Sequence, residues 1–232
     1  MFEPKDQEAL RRLTQADMFA SGVRVALSAW VPFGGIIGEF VTQFVPRQRL
    51  DRLQGFIEGL NERVGSLEDE FRARLVQSPA YSAPLEEACL AAVRSPSDRR
   101  RTELAEVLRT GLSHSDADLA GHHALLRLLD GLNDAQIIIL MGYGSFGQTM
   151  VNPERDTFFE KHPGIFAVEP PSYGDDDPKE SAWALRNHYE DEPIARGLLR
   201  DMEGFVKPQH KRLEITYLGR LLLEAIGQPI AP

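Results

Sequence analysis

Several features that mark common classes of protein are missing from this 232-residue sequence. It has a single cysteine, Cys89, so no intrachain disulfide can form, which is typical of proteins in reducing compartments. The first residues include no basic stretch followed by an apolar core, the arrangement that defines a secretory signal peptide. These two absences predict a cytoplasmic protein.

The signatures of catalytic and metal sites are also missing. We find no nucleophile beside a base, no full set of metal ligands at a recognised spacing and no glycine-rich phosphate loop. Asp118 and His122 are four residues apart on a predicted helix, but no third ligand accompanies them. The three aspartates at 175–177 lack the ligand ladder of a calcium loop. We therefore expect a protein that is not an enzyme and that holds no cofactor or metal.

No apolar run is long enough to cross a membrane as a helix. The most apolar stretch contains the uncharged run "VALSAWVPFGGIIG", shorter than the roughly 18–20 residues that a spanning helix needs. Pro32 interrupts it, because a proline removes a helical hydrogen bond. We expect two short helices on either side of a bend at "WVPFGG", buried in a helical core. The alternative is that segment 23–45 enters a membrane.

An excess of positive charge is absent as well. The chain has 26 basic against 35 acidic residues, a net charge of -9 and an isoelectric point of about 5.2. Proteins that wrap nucleic acid over their whole surface are usually basic, so any contact with nucleic acid must come from a local patch. Hydrophobic residues make up 42% of the chain, which is ordinary for a folded protein.

Helical periodicity dominates what the sequence does contain. In the segment after Pro46, apolar residues recur at alternating steps of three and four, which predicts an amphipathic helix with an a/d seam. The seam residues are Leu50, Leu53, Ile57, Leu60, Val64, Leu67 and Phe71. Another helix must cover this seam, and it comes either from the same chain or from a protein partner or second copy.

The middle of the chain gives more local expectations. "QSPAYSAP" at 77–84 predicts a loop, and Cys89 falls on the apolar side of the helix that follows. Ser97 is a predicted N-cap, and the three arginines at 99–101 are expected to be solvated in the first helical turn or to meet an anion. Asn133 or Asp134 is expected to cap a fully apolar, buried helix.

Residues 144–193 differ in composition from the rest of the chain. They are rich in glycine, proline, aspartate and glutamate, and they also include several aromatic residues. Disordered segments usually lack aromatic residues. We therefore expect a long, irregular and partly ordered insertion.

The last segment, "EPIARGLLRDMEGFVKPQHKRLEITYLGRLLLEAIG", has a distinctive order. We expect a leucine-bearing helix that ends at Gly204, a hairpin of "FV" and "LEI", and a final helix capped by Thr216. This segment resembles the second half of a winged-helix module of the MarR- and PadR-type proteins. The matching residues are Leu199, Gly204, Phe205, Val206, Ile215, Thr216, Leu218 and Gly219.

This resemblance implies a set of contacts with DNA. Arg196 and Arg200, one helical turn apart, would face the groove, and a basic hairpin tip would lie against phosphates. The tip residues are Lys207, His210, Lys211 and Arg212. Winged helices also serve as protein-interaction modules, so nucleic acid and protein are both candidate partners.

A second segment, "VPFGGIIGEFVTQFVPRQRLDRLQGFIEGLNERV", is similar to a pattern in bacterial abortive-infection alpha-type proteins. That resemblance implies a bacterial protein of phage defence or stress response.

Together these expectations describe a mostly α fold. A helical bundle with a long amphipathic helix occupies 1–112, and a winged-helix-like domain with a small β-hairpin and the insertion occupies 113–232. We expect a non-enzymatic, oligomerising sensor, regulator or adaptor that works through the winged-helix-like module. The alternative is a membrane-active abortive-infection effector that uses segment 23–45.

Overall fold

The computed structural model describes residues 49–64, 79–112, 116–146, 152–171, 179–202 and 213–230. Within these ranges the chain forms nine helices and one two-stranded antiparallel sheet. The elements in chain order are α1 (Leu50–Val64), α2 (Pro79–Arg94), α3 (Asp98–Leu112), α4 (Asp116–Asp130), α5 (Asp134–Gly144), α6 (Pro153–Lys161), α7 (Pro163–Phe166), α8 (Lys179–Ala195), β1 (Leu199–Asp201), β2 (Leu213–Ile215) and α9 (Tyr217–Ala225). The prediction of a mostly helical fold with one small hairpin is confirmed.

Some predicted features lie outside the described residues. They are the apolar segment 23–45, the seam residues Leu67 and Phe71, the aspartates at 175–177 and the basic residues Lys207, His210, Lys211 and Arg212. The chain divides into two units, Met1–Leu126 and Arg127–Pro232. The domain boundary predicted between residues 112 and 113 stays a prediction.

In the first unit, α1 buries one face against α2 and α3. The three- and four-residue spacing places its apolar side chains on one stripe, which is between 0% and 7% exposed. The buried residues of α1 are Leu50, Leu53, Phe56, Ile57, Leu60 and Val64. Helices of the same chain therefore cover five of the seven predicted seam residues, as the intramolecular alternative requires. Assembly with a partner through the rest of the seam stays a prediction.

The segment predicted as a loop at 77–84 is helical from Pro79 onward. A proline is tolerated at the first helical position, where its missing N–H has no intrahelical partner. Pro84 lies inside the helix and is buried. The face that includes Leu85 and Cys89 packs against α1 and α3, and this packing outweighs the local preference of the composition for a loop.

The first turn of α3 also differs from the prediction. Ser97 caps the helix as expected, because its Oγ accepts a hydrogen bond from the N–H of Arg100 at 3.3 Å. Arg100, however, is only 5% exposed, and its Nη1 lies 3.4 Å from Oε2 of Glu103. Nε of Arg99 lies 3.0 Å from the other oxygen of the same carboxylate. The prediction of a solvated basic turn is wrong for Arg100, because a buried carboxylate one turn away pairs with its charge.

In the second unit, α5 is the helix around which the other elements pack. It contacts α6, α8, α9 and β2. Its N-terminus has a capping box in which Asn133 accepts from the N–H of Gln136 and the Gln136 side chain accepts from the N–H of Asn133. The predicted cap and the predicted burial of this apolar helix are both confirmed.

The predicted irregular insertion at 144–193 is mostly helical where the structure describes it. Asn152 caps α6 by accepting from the N–H groups of Glu154 and Arg155 at 3.1 Å each, and Pro153 occupies the first helical position. α7 and α8 follow. The prediction of an irregular segment was wrong because it was based on the glycine and proline content and did not take these helix-start signals into account.

The helix predicted to reach Gly204 ends at Ala195 instead. Gly197 has a φ of 71°, the left-handed conformation that stops a helix. The residues that follow form β1, which pairs antiparallel with β2 so that Leu199 lies opposite Ile215. The strand predicted at "LEI" is confirmed and pairs with β1. The strand predicted at "FV" lies outside the described residues.

None of the helices in the described ranges combines the length with the apolar composition that crossing a membrane requires.

We expect Leu53→Ala to lower the free energy of unfolding by about 2–5 kcal/mol, because the side chain is fully buried and its loss leaves a cavity. Urea denaturation followed by circular dichroism measures the change. Glu62→Ala, at an exposed position of the same helix, is the matched control and should change stability by less than about 0.5 kcal/mol. Equal losses in the two variants would contradict the packing of α1.

Candidate functional site

Thr216 ties together the C-terminal module, which we define as α8, β1, β2 and α9. Its Oγ1 accepts a hydrogen bond from the N–H of Gly219 at 3.1 Å, which confirms the predicted cap of α9. The same hydroxyl donates to the carbonyl oxygen of Gly197 at 2.6 Å. The N–H of Thr216 donates to the carbonyl oxygen of Leu198 at 3.1 Å. One residue therefore connects the turn after α8, the end of β2 and the start of α9.

Gly219 allows these elements to approach closely. A Cβ atom at this position would overlap the carbonyl oxygen of Leu198 and would lie 2.7 Å from Cγ1 of Ile215. Any larger residue would push α9 away from the backbone between α8 and β1. The glycine in "ITYLG" is therefore required by the packing of the module.

The two arginines predicted to share a DNA-facing helical turn do not lie on a helix. Arg196 is in the turn after α8, and its Nε lies 2.7 Å from Oε1 of Glu192. Arg200 is in β1 opposite Glu214, and its Nε donates to that carboxylate at 2.6 Å. Helix α8 ends too early to hold both arginines on one face.

The charge of α8 does not favour contact with phosphates. The helix has two basic residues and four acidic ones: Lys179 and Arg186 against Glu180, Glu190, Asp191 and Glu192. Binding to DNA depends on cationic side chains that neutralise phosphates, and a helix with net negative charge opposes it.

The second unit also contains a polar cluster that the sequence did not predict. Arg186 and Glu190 are one turn apart on α8, with Nη2 and Oε1 separated by 3.2 Å. Glu190 is only 4% exposed. Nη1 of Arg186 donates to the carbonyl oxygen of Val168 at 3.1 Å, and its guanidinium lies 5.3 Å from the ring centre of Trp183. Arg186 also hydrogen-bonds the hydroxyl of Tyr143 on α5.

The environment of Tyr143 holds its hydroxyl in the neutral form. Burial, with a smaller contribution from the Glu190 carboxylate, raises the pKa of Tyr143 from 10.0 to about 12, although Arg186 and Arg155 act in the opposite direction. At neutral pH the cluster is therefore a neutral phenol beside an ion pair. It can hold elements together or receive a polar group.

An aromatic layer lies next to this cluster. Phe159 and Phe166 stack with ring centres 4.0 Å apart, and both rings touch α5 at Gly142. A Cβ atom at Gly142 would lie 2.7 Å from Cζ of Phe166 and 3.0 Å from Cε1 of Phe159. Phe158 adds contacts with Phe146 at 5.2 Å between ring centres. Because Gly142 has no side chain, the stacked rings can pack directly against the helix backbone.

The described residues offer little for catalysis or metal binding. Cys89 is 1% exposed, which confirms the predicted buried cysteine, and burial raises the pKa of its thiol to about 12. A thiol that stays protonated at neutral pH is a poor nucleophile. In the ranges that the structure covers, no three histidine, cysteine, aspartate or glutamate side chains are grouped to hold a metal ion.

Comparisons with models of protein families, with curated proteins and with solved structures found no match to this chain.

We expect Tyr143→Phe to change the pH dependence of stability in the alkaline range. An unfolded tyrosine ionises above pH 10, whereas native Tyr143 keeps its proton to about pH 12, so the native state loses stability relative to the unfolded state between these values. The variant should be less stable near pH 8 by about 1 kcal/mol, for lack of the hydrogen bond to Arg186. Its deficit should shrink as the pH rises above 10.

Urea denaturation between pH 7 and the highest pH at which the protein folds measures this difference. Tyr217→Phe is the matched control, because the side chain of Tyr217 is 77% exposed. A deficit for Tyr143→Phe that stays constant with pH would show that burial does not perturb this hydroxyl.

We expect Gly219→Ala to destabilise the protein by about 1–3 kcal/mol, because the added methyl group meets a backbone oxygen that cannot rotate away. Gly164→Ala is the control, since nothing lies within 4 Å of its Cβ position. Thermal unfolding of the two variants measures the contrast, and similar melting temperatures would argue against the close approach of α9.

Proposed function

We propose that this chain is a non-enzymatic sensor, regulator or adaptor whose C-terminal module contacts another protein, which is a second copy of the chain or a different partner. The proposal rests on the positions of the exposed apolar side chains. In the part of the chain that the structure describes, the exposed large apolar side chains are Leu185, Met202 and Tyr217, at 50%, 44% and 77%. Leu185 and Tyr217 belong to the C-terminal module, and Met202 directly follows its strand β1. Exposed apolar and aromatic side chains are typical of protein-binding surfaces.

The order of elements in the module supports the same proposal. A helix, a two-stranded hairpin and a final helix follow one another, as in the winged-helix resemblance. The hydrogen bond of Thr216 and the close approach at Gly219 hold these elements together, and a surface that is already ordered loses less conformational entropy on binding.

A protein partner fits the charges better than DNA does. Helix α8 is net negative, and Arg196 and Arg200 each pair with a carboxylate of the module. The basic tip residues remain as the contact that a nucleic acid would use. Nucleic acid is therefore the second candidate partner, and its binding would depend on the tip.

We expect the purified chain to self-associate through the module. Light scattering over a range of protein concentrations should give a mass above 26.0 kDa for the wild type and a lower mass for Leu185→Ser and Tyr217→Ser. Lys161→Ser, at an exposed position of α6, is the control and should behave as the wild type does. A monomer at every concentration would rule out self-association and leave only a different partner.

The nucleic-acid alternative has its own measurement. Fluorescence anisotropy with a generic duplex at about 50 and 200 mM salt reports binding to phosphates, which weakens steeply with salt. We expect no binding by the wild type at the higher salt. Salt-sensitive binding that is lost in a Lys207→Glu/Lys211→Glu variant would replace the protein-partner proposal with a DNA-binding one.

Two further roles rest on the N-terminal part of the chain, of which residues 1–48 lie outside the described ranges. Membrane activity depends on segment 23–45, and fractionation of cells that express the wild type or Trp30→Glu tests it. A role in phage defence or stress response rests on the N-terminal resemblance. Loss of protection against phage in a strain without this gene would support that role.

A further inference from the structure

Helix α9 has apolar residues on the side that faces away from the core as well as on its buried side. Its buried residues are Gly219, Leu222, Leu223 and Ala225. With 3.6 residues per turn, the opposite side of the helix is a stripe formed by Tyr217, Leu221 and Glu224, which we call the outward stripe. Tyr217 is 77% exposed, Leu221 and the adjacent Leu218 are half-buried, and Glu224 is exposed. An exposed aromatic ring next to leucine side chains is typical of a surface that binds protein.

The order of the groups along the outward stripe is complementary to its own reverse. The hydroxyl of Tyr217 is a hydrogen-bond donor at one end, the carboxylate of Glu224 is an acceptor at the other, and Leu221 lies between them. A two-fold symmetric interface uses the same surface on both copies, so each group must meet its complement when that surface is reversed. The outward stripe satisfies this requirement, which the surface of a helix that binds an unrelated protein does not have to meet.

We propose that α9 packs antiparallel against α9 of a second copy of this chain. This inference rests on the proposed function, because it takes the second copy as the partner of the C-terminal module. Each Tyr217 hydroxyl donates to the Glu224 carboxylate of the other copy, and the two Leu221 side chains meet at the two-fold axis. Arg220 borders the stripe, where its cation lies between the Glu224 carboxylates of the two copies.

The length of α9 limits the strength of this contact. The helix has nine residues, or about 13 Å, and buries less than the roughly 800 Å² per partner of a typical stable interface. Other exposed side chains of the module, such as Leu185, must therefore add to the contact. We expect a dimer that dissociates on dilution.

Disulfide cross-linking tests the pairing and its direction. The variants Tyr217→Cys and Glu224→Cys are oxidised separately and as an equal mixture. The two positions are two turns apart, roughly 10 Å along the helix, whereas the Cα atoms of a disulfide lie about 4–7 Å apart. We expect covalent dimers in the mixture and few in either variant alone. Cys89 is buried with a thiol pKa of about 12, so the wild type should give no cross-link.

Two changes at the centre of the stripe add to this test. Leu221→Cys should form a covalent dimer without a second variant, because the two-fold axis brings its thiols together. Leu221→Asp should raise the dissociation constant measured by light scattering about tenfold or more, as expected for a residue at the centre of an interface. Thr157→Asp adds the same charge at an exposed position of α6 and is the matched control, which should leave the dissociation constant nearly unchanged.

The outcomes separate this inference from the proposed function. Covalent dimers of Tyr217→Cys alone would overturn it, because the helices would then be parallel. A wild-type dimer with no cross-link in the mixture or in Leu221→Cys would overturn pairing through α9 and leave self-association through the rest of the module. A wild-type monomer at every concentration would overturn self-association as a whole.

Discussion

The second unit depends on one requirement, which is that α5 must be covered on every side. Its central run, residues 137–141, is apolar on every face, so any face left open there would expose apolar surface to water. α6, α8, α9 and β2 each cover part of it. Gly142 and Gly144 let these neighbours come close: a Cβ atom at Gly142 would meet the stacked phenylalanine rings, and one at Gly144 would overlap Leu223 and Ile215.

Several arginines of the described residues form ion pairs with nearby carboxylates. Arg100 and Arg186 each pair with a carboxylate three or four residues further along the same helix. Arg196, in the turn after α8, pairs with Glu192 of that helix, and Arg200 pairs with Glu214 across the hairpin. Of these, Arg196 and Arg200 are the arginines that the winged-helix resemblance offers as contacts with DNA. The described surface of the C-terminal module is therefore less basic than its composition indicates, and apolar side chains are prominent on it. This balance is why a protein partner is the leading proposal.

The sequence predicted the candidate site in part. The cap at Thr216 and the strand "LEI" were predicted correctly because local chemistry specifies them. The cluster of Tyr143, Arg186 and Glu190 was missed. An arginine and a glutamate four residues apart are usual on an exposed helical surface. This pair is buried because α8 packs against α5, and the sequence of α8 alone does not indicate which helix it packs against.

The sequence by itself determined those elements that are specified by residues close together in the chain. The seam of α1, the buried α5 and the caps at Ser97, Asn133 and Thr216 follow from side-chain spacing and from oxygen atoms placed to accept backbone N–H groups. Tertiary structure decided the rest. Residues 79–84 are helical because they continue a helix whose buried face, with Leu85 and Cys89, packs against α1 and α3. β1 is a strand because β2 pairs with it. Each of these outcomes depends on a partner that is distant in the chain, and short-range patterns do not encode such partners.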